Sequence, residues 1–303
     1  STATNLSELF KNKISFNQDI SGWTVSSVNT MEDMFNNALT FNQNISIWNV
    51  SQVNNMANMF NRAVAFNQNI SDWNVSNVST MANMFNGATA FDQDISGWNV
   101  SGVITMASMF NGASVFDKDI SGWDVSGVTT MANMFNGASA FNSLIFNNAE
   151  GPNVVSNTTT DLSSMFQSAA AFNKAINTWD VSNVSTMENM FNGASNFDKD
   201  ISGWDVSSVG NMTNMFNGTA LINNASLAKS IFKTWTQTYV SNDVTIANAN
   251  DRLSAASFPE TFSITEISDR ETFTGLDNDQ DRGLTVLNSS FVDLTNLINF
   301  DSN

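Results

Sequence analysis

The sequence predicts an α/β repeat solenoid: a right-handed stack of coils, each with one short parallel strand and one short helix. Three observations carry this. Phe16, Phe41, Phe66, Phe91, Phe116 and Phe141 recur every 25 residues, and Phe172 and Phe197 resume the beat after an insertion. Trp23, Trp48, Trp73, Trp98, Trp123, Trp179 and Trp204 keep the same period. All 15 Met fall on two sites of the repeat, in pairs such as Met31/Met34, Met81/Met84 and Met212/Met215, with Leu162 standing in once beside Met165. Self-similarity at such a period marks repeat architectures, where each unit buries its apolar face only against its neighbours.

Within one coil the apolar positions run Phe16, Ile20, Trp23, Val25, Val28, Met31, Met34, Phe35, Ala38. This spacing fits neither a long helix nor a long strand. Alternation near Trp23, Thr24 and Val25 predicts a short strand over Ile20–Val25, which stacked copies would join into a parallel sheet. The crossovers between parallel strands would be right-handed. The residue before the first Met site is Thr30, Asn55, Thr80, Thr105, Thr130, Asp161, Thr186 or Asn211, each a good helix N-cap. Asn-Gly pairs such as Asn86-Gly87 and Asn136-Gly137 follow the Met-Phe pair, where glycine would accept the left-handed geometry that ends a helix.

The predicted organisation is a solenoid over 1–225, a capping helix over 226–238 and a non-repeat C-terminal module over 239–303. Between Phe141 and Phe172 the beat slips, and the stretch near 146–157 reads as a loop bulging from a continuous stack. Leu227, Ile231, Phe232 and Trp235 have helical spacing. Val244-Thr245-Ile246, Phe262-Ser263-Ile264 and Leu284-Thr285-Val286 suggest short strands in a small β-rich or mixed terminal module.

Composition narrows the function classes. The net charge is −17, so a nucleic-acid partner would be repelled, and an anionic membrane surface is disfavoured for the same reason. There is no Cys and no His, which removes disulfides, thiol nucleophiles and imidazole acid–base chemistry. No apolar run approaches the roughly 20 residues that span a bilayer, so no transmembrane segment is expected. The chain opens at Ser1 without a charged and apolar leader, which fits prior removal of an export signal, or trimming.

The phrase from Phe116 to Phe135, Phe-Asp-Lys-Asp-Ile-Ser-Gly-Trp-Asp-Val-Ser-Gly-Val-Thr-Thr-Met-Ala-Asn-Met-Phe, resembles the repeats of a bacterial surface-protein family. That family includes mycoplasma-type lipoproteins and is similar to BspA-like leucine-rich repeats. Ile120, Trp123 and Val125 sit where a leucine-rich repeat has its L-x-x-L-x-L frame, whereas Val128 stands where the frame has Asn. The resemblance covers roughly residues 5 to 220 and implies a leucine-rich-repeat-like solenoid, an extracellular or cell-surface location and an interaction role. It brings no catalytic residues.

Several polar columns are candidate sites. Asn49, Asn74, Asn99, Asp124, Asp180 and Asp205, with Thr24, would line the sheet face and turn acidic along the stack; this is the predicted binding face, or else a merely solvated one. Ser26, Ser51, Ser76, Ser101, Ser126, Ser182 and Ser207 would bond coil to coil. The pairs Asp92/Asp94, Asp117/Asp119 and Asp198/Asp200 present oxygen ligands of the kind Ca²⁺ takes. Asp277, Asp279 and Asp281 form a D-x-D-x-D run, read as an acidic turn or a single Ca²⁺ loop. Arg282 and Asn288 replace the Gly and Glu an EF-hand would need.

No cofactor other than Ca²⁺ is suggested, and catalysis is not expected because the carboxylate pairs belong to the repeat. Two functions fit. One is a non-enzymatic adhesion or binding scaffold for a protein or glycan surface partner. The other is a structural subunit that self-associates end to end into an extracellular fibre.

Overall fold

The computed structural model describes residues 3–146, 158–241, 252–253 and 255–258. Coils of 25 residues stack in register, and each consecutive pair is joined by a parallel bridge at one position: Asn5–Thr30, Thr30–Asn55, Asn55–Thr80 and onward to Thr186–Asn211. A bridge from Thr130 to Asp161 and hydrogen bonds from Met131 N–H to the Asp161 carbonyl and from Phe135 N–H to the Met165 carbonyl carry the stack across the insertion. Residues 147–157, most of the inserted loop, lie outside the described residues.

The architecture is not the α/β, leucine-rich-repeat-like solenoid expected from the sequence. Among the described residues no strand forms, and no coil contains a helix. The hydrogen bonds give the reason. In the coil beginning at Met31, the N–H groups of Met34, Asn36 and Ala38 donate three residues back, to Met31, Asp33 and Phe35. The intervening N–H groups of Met31, Asp33, Phe35 and Asn37 donate outward, to the carbonyls of Asn55, Ala57, Met59 and Asn61 in the next coil. An α-helix needs all of these donors four residues back. Here every second donor belongs to the neighbour.

Backbone geometry enforces this division. Asp33 and Asn37 have φ of 57° and 59°, and the same two sites are left-handed in coil after coil: Asn58 and Arg62, Asn83 and Gly87, Asn133 and Gly137. Each sits third in a four-residue turn, the position where a type II turn requires positive φ. Asn, Asp and Gly tolerate it best. The Asn-Gly steps therefore do adopt left-handed geometry, but they close turns rather than helices. The expected N-caps behave in the same way. Asn55 Oδ1 accepts the N–H of Ala57 at 2.9 Å and Asp161 Oδ1 that of Ser163 at 2.9 Å, so each opens a turn and also forms the single bridge to the next coil.

The expected strand at Ile20–Val25 is likewise a pair of turns. Trp23 N–H donates to the Ile20 carbonyl and Val28 N–H to the Val25 carbonyl, and both bonds stay inside the coil. Apart from one further bridge, Ile120–Ile145, extended pairing is confined to one residue per coil because turns flank it on both sides.

The core is a column of rings. Phe35 and Phe41 stack at 3.8 Å, Phe60 and Phe66 at 3.9 Å, Phe85 and Phe91 at 3.9 Å, and the next coil's pair follows at 5.6–6.1 Å. Stacked aromatic pairs contribute roughly 0.5–1.5 kcal/mol beyond area burial. All the Met of the repeat are buried here. Trp48, Trp73, Trp98, Trp123 and Trp204 are buried, and each indole N–H donates to the Ile carbonyl 28 residues earlier, for example Trp98 to Ile70 at 3.1 Å. Trp179 is buried too, 6.1 Å from Phe146, the ring supplied by the coil that has no Trp. Trp23, in the first coil, is 40% exposed.

After the last full coil come a 3₁₀ turn, Leu221–Asn223, and helix α1, Ala225–Ser241. Asn224 opens α1, its Oδ1 accepting from Leu227 N–H at 3.3 Å. The buried stripe Ala228, Ile231, Phe232 and Trp235 faces the stack, with Trp235 6.5 Å from Trp204. The helix extends the ring column without its hydrogen bond, since Trp235 Nε1 is buried and has no partner among the described residues. Ala255 and Ala256 complete the end by accepting the outward N–H groups of Asn214 and Phe216. The short strands expected in the terminal module lie outside the described residues.

Trp98→Phe removes a buried hydrogen bond and ring area, and should destabilise the protein by about 1–3 kcal/mol. Trp23→Phe, at the exposed position, should cost less than about 0.5 kcal/mol. Urea denaturation of the two variants, side by side, checks the difference.

Candidate binding face

Three columns of Asn and Asp run the length of the stack, and each has a distinct role. The first comprises Asn17, Asn42, Asn67, Asp92, Asp117, Asn142, Asn173 and Asp198. From Asn17 to Asn173, each side-chain oxygen accepts the backbone N–H of its counterpart one coil later: Asn17 from Asn42 at 2.9 Å, Asn67 from Asp92 at 3.0 Å, Asp117 from Asn142 at 2.8 Å, Asn173 from Asp198 at 3.1 Å. Gln43, Gln68 and Gln93 donate to the same oxygens from the next coil, and Lys118 takes that place against Asp92 at 2.7 Å. This ladder is structural. It was missed as such in the sequence, although the recurring Phe-Asn-Gln phrase is its signature.

The second column folds back on itself. Asp19, Asn44, Asn69, Asp94, Asp119 and Asp200 each accept the backbone N–H two residues on, from Ser at 2.8–3.0 Å. Such turns are what Asn and Asp side chains make locally. The N–H of Ser21 holds the Asp19 carboxyl below the usual range, and that of Ser96 does the same for Asp94. Asp198 is held low chiefly by the Lys199 ammonium, then by the Asn173 amide.

The pairs Asp92/Asp94, Asp117/Asp119 and Asp198/Asp200 are thus one ladder residue and one turn residue each. Their oxygens already serve backbone N–H groups or lysines. Among the described residues no group of three or more acidic side chains could hold a metal ion. Asp277, Asp279 and Asp281 lie outside the described residues.

The third column is the predicted binding face. Asn49, Asn74, Asn99, Asp124, Asp180 and Asp205 are all exposed. No sheet lies beneath them, because their segments are turns. Each uses one oxygen to accept the N–H of the Ser two residues on, at 3.0–3.2 Å. The hydroxyls of Ser101 and Ser182 bond within the same turn, to Asn99 and Asp180. Hydroxyl bonds between coils come from other columns: Ser79, Thr129 and Ser185 reach the carbonyls of Asn54, Ile104 and Thr160, and Thr89, Ser139 and Ser195 reach those of Val64, Ser114 and Ala170. The third column therefore presents side chains of fixed orientation, amide at Asn49, Asn74 and Asn99 and carboxylate at Asp124, Asp180 and Asp205.

Exposed apolar residues went unmarked in the sequence. Ile47 is 76% exposed between the second and third columns, and Ile104 and Val115 are among the others exposed. Ile47 and Ile104 stand where the other coils carry Gly, Asp, Asn, Ser or Thr, and that was the available signal.

No described helix is long and apolar enough to cross a membrane. A family model described as a Mycoplasma protein of unknown function, DUF285, matches residues 1–90, 68–157 and 146–253. No curated protein and no solved structure matches the chain.

Asn67→Asp keeps the accepting oxygen of the ladder and should leave the urea midpoint close to the parent's. Asn67→Ala strands the Asp92 N–H and the Gln93 amide, and should cost about 1 kcal/mol.

Proposed function

The chain belongs to the Mycoplasma DUF285 family, of unknown function, whose matches together span residues 1–253, and we propose that it is a non-enzymatic binding scaffold displayed outside the cell or on its surface. Surface display rests on the resemblance of its repeats to those of bacterial surface proteins. The observation that carries the binding role is the third Asx column. Asn49, Asn74, Asn99, Asp124, Asp180 and Asp205 are exposed and held by their own turns, and none of the bonds that fix them joins one coil to the next. Repeat stacks of this kind offer long faces on which a partner meets many equivalent side chains. The partner is a protein or glycan surface, and the acidic half of the row favours one that carries cationic groups.

End-to-end assembly into a fibre is the weaker reading. The outward N–H groups of Asn214 and Phe216, which a following coil would engage, are taken by Ala255 and Ala256.

The test is a binding screen of the parent and the triple variant Asp124→Asn, Asp180→Asn, Asp205→Asn against protein and glycan arrays. The variant should melt with the parent, because amide oxygens preserve the turns. It should lose on the order of tenfold in affinity for the parent's partner, with a weaker dependence on salt. Equal binding by the variant would overturn the assignment of this face.

A further inference from the structure

Five Asn-Gly steps occur in the repeats: Asn86-Gly87, Asn111-Gly112, Asn136-Gly137, Asn192-Gly193 and Asn217-Gly218. In each, glycine has positive φ, between 67° and 76°. Their chemistry is shared. A backbone nitrogen followed by no side chain can attack the preceding asparagine's side-chain carbonyl, so all five are equivalent in an unfolded chain.

The fold makes them unequal. The N–H of Gly87 donates to the Asn111 carbonyl at 2.6 Å, and those of Gly112, Gly137 and Gly193 donate to Asn136, Gln167 and Asn217 at 2.7 Å. These four nitrogens are locked into the coil-to-coil ladder, and their Asn-Gly pairs are half-buried. The amides of Asn86, Asn136 and Asn192 are further tied to the residue three earlier, Asn83, Asn133 and Asn189. At the fifth step the ladder stops. Gly218 N–H has no partner among the described residues, although two residues earlier Phe216 N–H still reaches Ala256. Both Asn217 and Gly218 are exposed. The Asn217 amide keeps one bond, to Asn192 Oδ1 at 3.1 Å.

We propose that Asn217-Gly218 is a site of spontaneous covalent modification, deamidating through a succinimide while the other four steps stay protected by the fold. The Gly218 nitrogen attacks Asn217 Cγ, and the amide group leaves with the proton of that nitrogen as ammonia. Water then opens the ring at either carbonyl, giving aspartate or isoaspartate. The product carboxylate cannot donate to Asn192, so the last coil loses the Asn217–Asn192 bond, and isoaspartate also lengthens the backbone ahead of the 3₁₀ turn Leu221–Asn223 that leads into α1. Conversion therefore loosens the junction between the stack and its terminal helix as the protein ages.

The test is ageing of the intact chain in mildly alkaline buffer, followed by peptide mapping with mass spectrometry that separates aspartate from isoaspartate. In the folded protein, conversion at Asn217 should run at least on the order of tenfold faster than at Asn86, Asn111, Asn136 or Asn192. In denaturant the five rates should converge. Gly218→Ala should slow conversion at position 217 alone, and Asn217→Gln should abolish it. Conversion in the folded chain that is equal across the five steps, or that favours one of the other four, would overturn the proposal, as would an Asn217 that stays intact.

Discussion

The structure depends on how each coil divides its backbone donors. Along Met31–Ala38 and its copies, alternate N–H groups close turns within the coil, and the others cross to the next one. A backbone whose polar groups are left unpaired in the interior is costly. No coil can satisfy its donors alone, so one coil is not a stable unit and the stack forms as a cooperative column. The left-handed residues at two sites per coil make the division possible, since they turn successive N–H groups in opposite directions.

The side chains reinforce that backbone arrangement rather than create it. Stacked Phe pairs fill the axis, and each indole N–H from Trp48 to Trp123 clips its coil to the one before. At the surface, one Asx column repeats the clip with side-chain oxygens. Two further columns hold their own turns. The Asn and Asp of these three columns, with the Ser that follow them in the turns, are accounted for by those tasks. What remains free are the outward atoms of the second and third columns, and function is assigned to the third, which changes once from amide to carboxylate along the stack.

Much of this was legible in the sequence. The period, the buried Phe, Trp and Met, the positive φ of Gly in Asn-Gly and the helical spacing around Trp235 all follow from residue type and position. The secondary structure did not. Thr30 and its copies carry the signature of an N-cap because a side-chain oxygen two residues before a free N–H looks the same whether a helix or a turn follows. Trp23-Thr24-Val25 alternates as a strand would, but turn bonds ending at Trp23 and Val28 bend it. Sequence spacing shows which side chains share a face; it does not show which neighbour a backbone N–H will choose. The roles of the Asn columns were hidden for the same reason, because Asn17 and Asn49 differ only in whether their oxygen meets the next coil or their own.

The division of donors can be observed directly by NMR couplings transmitted through hydrogen bonds in deuterated protein. Couplings should link the Asn83 and Phe85 nitrogens to the Ala107 and Met109 carbonyls, and the Met84 and Asn86 nitrogens to the Met81 and Asn83 carbonyls. Couplings from each of these nitrogens to the carbonyl four residues earlier would mean that the coils contain helices after all, and would contradict the account.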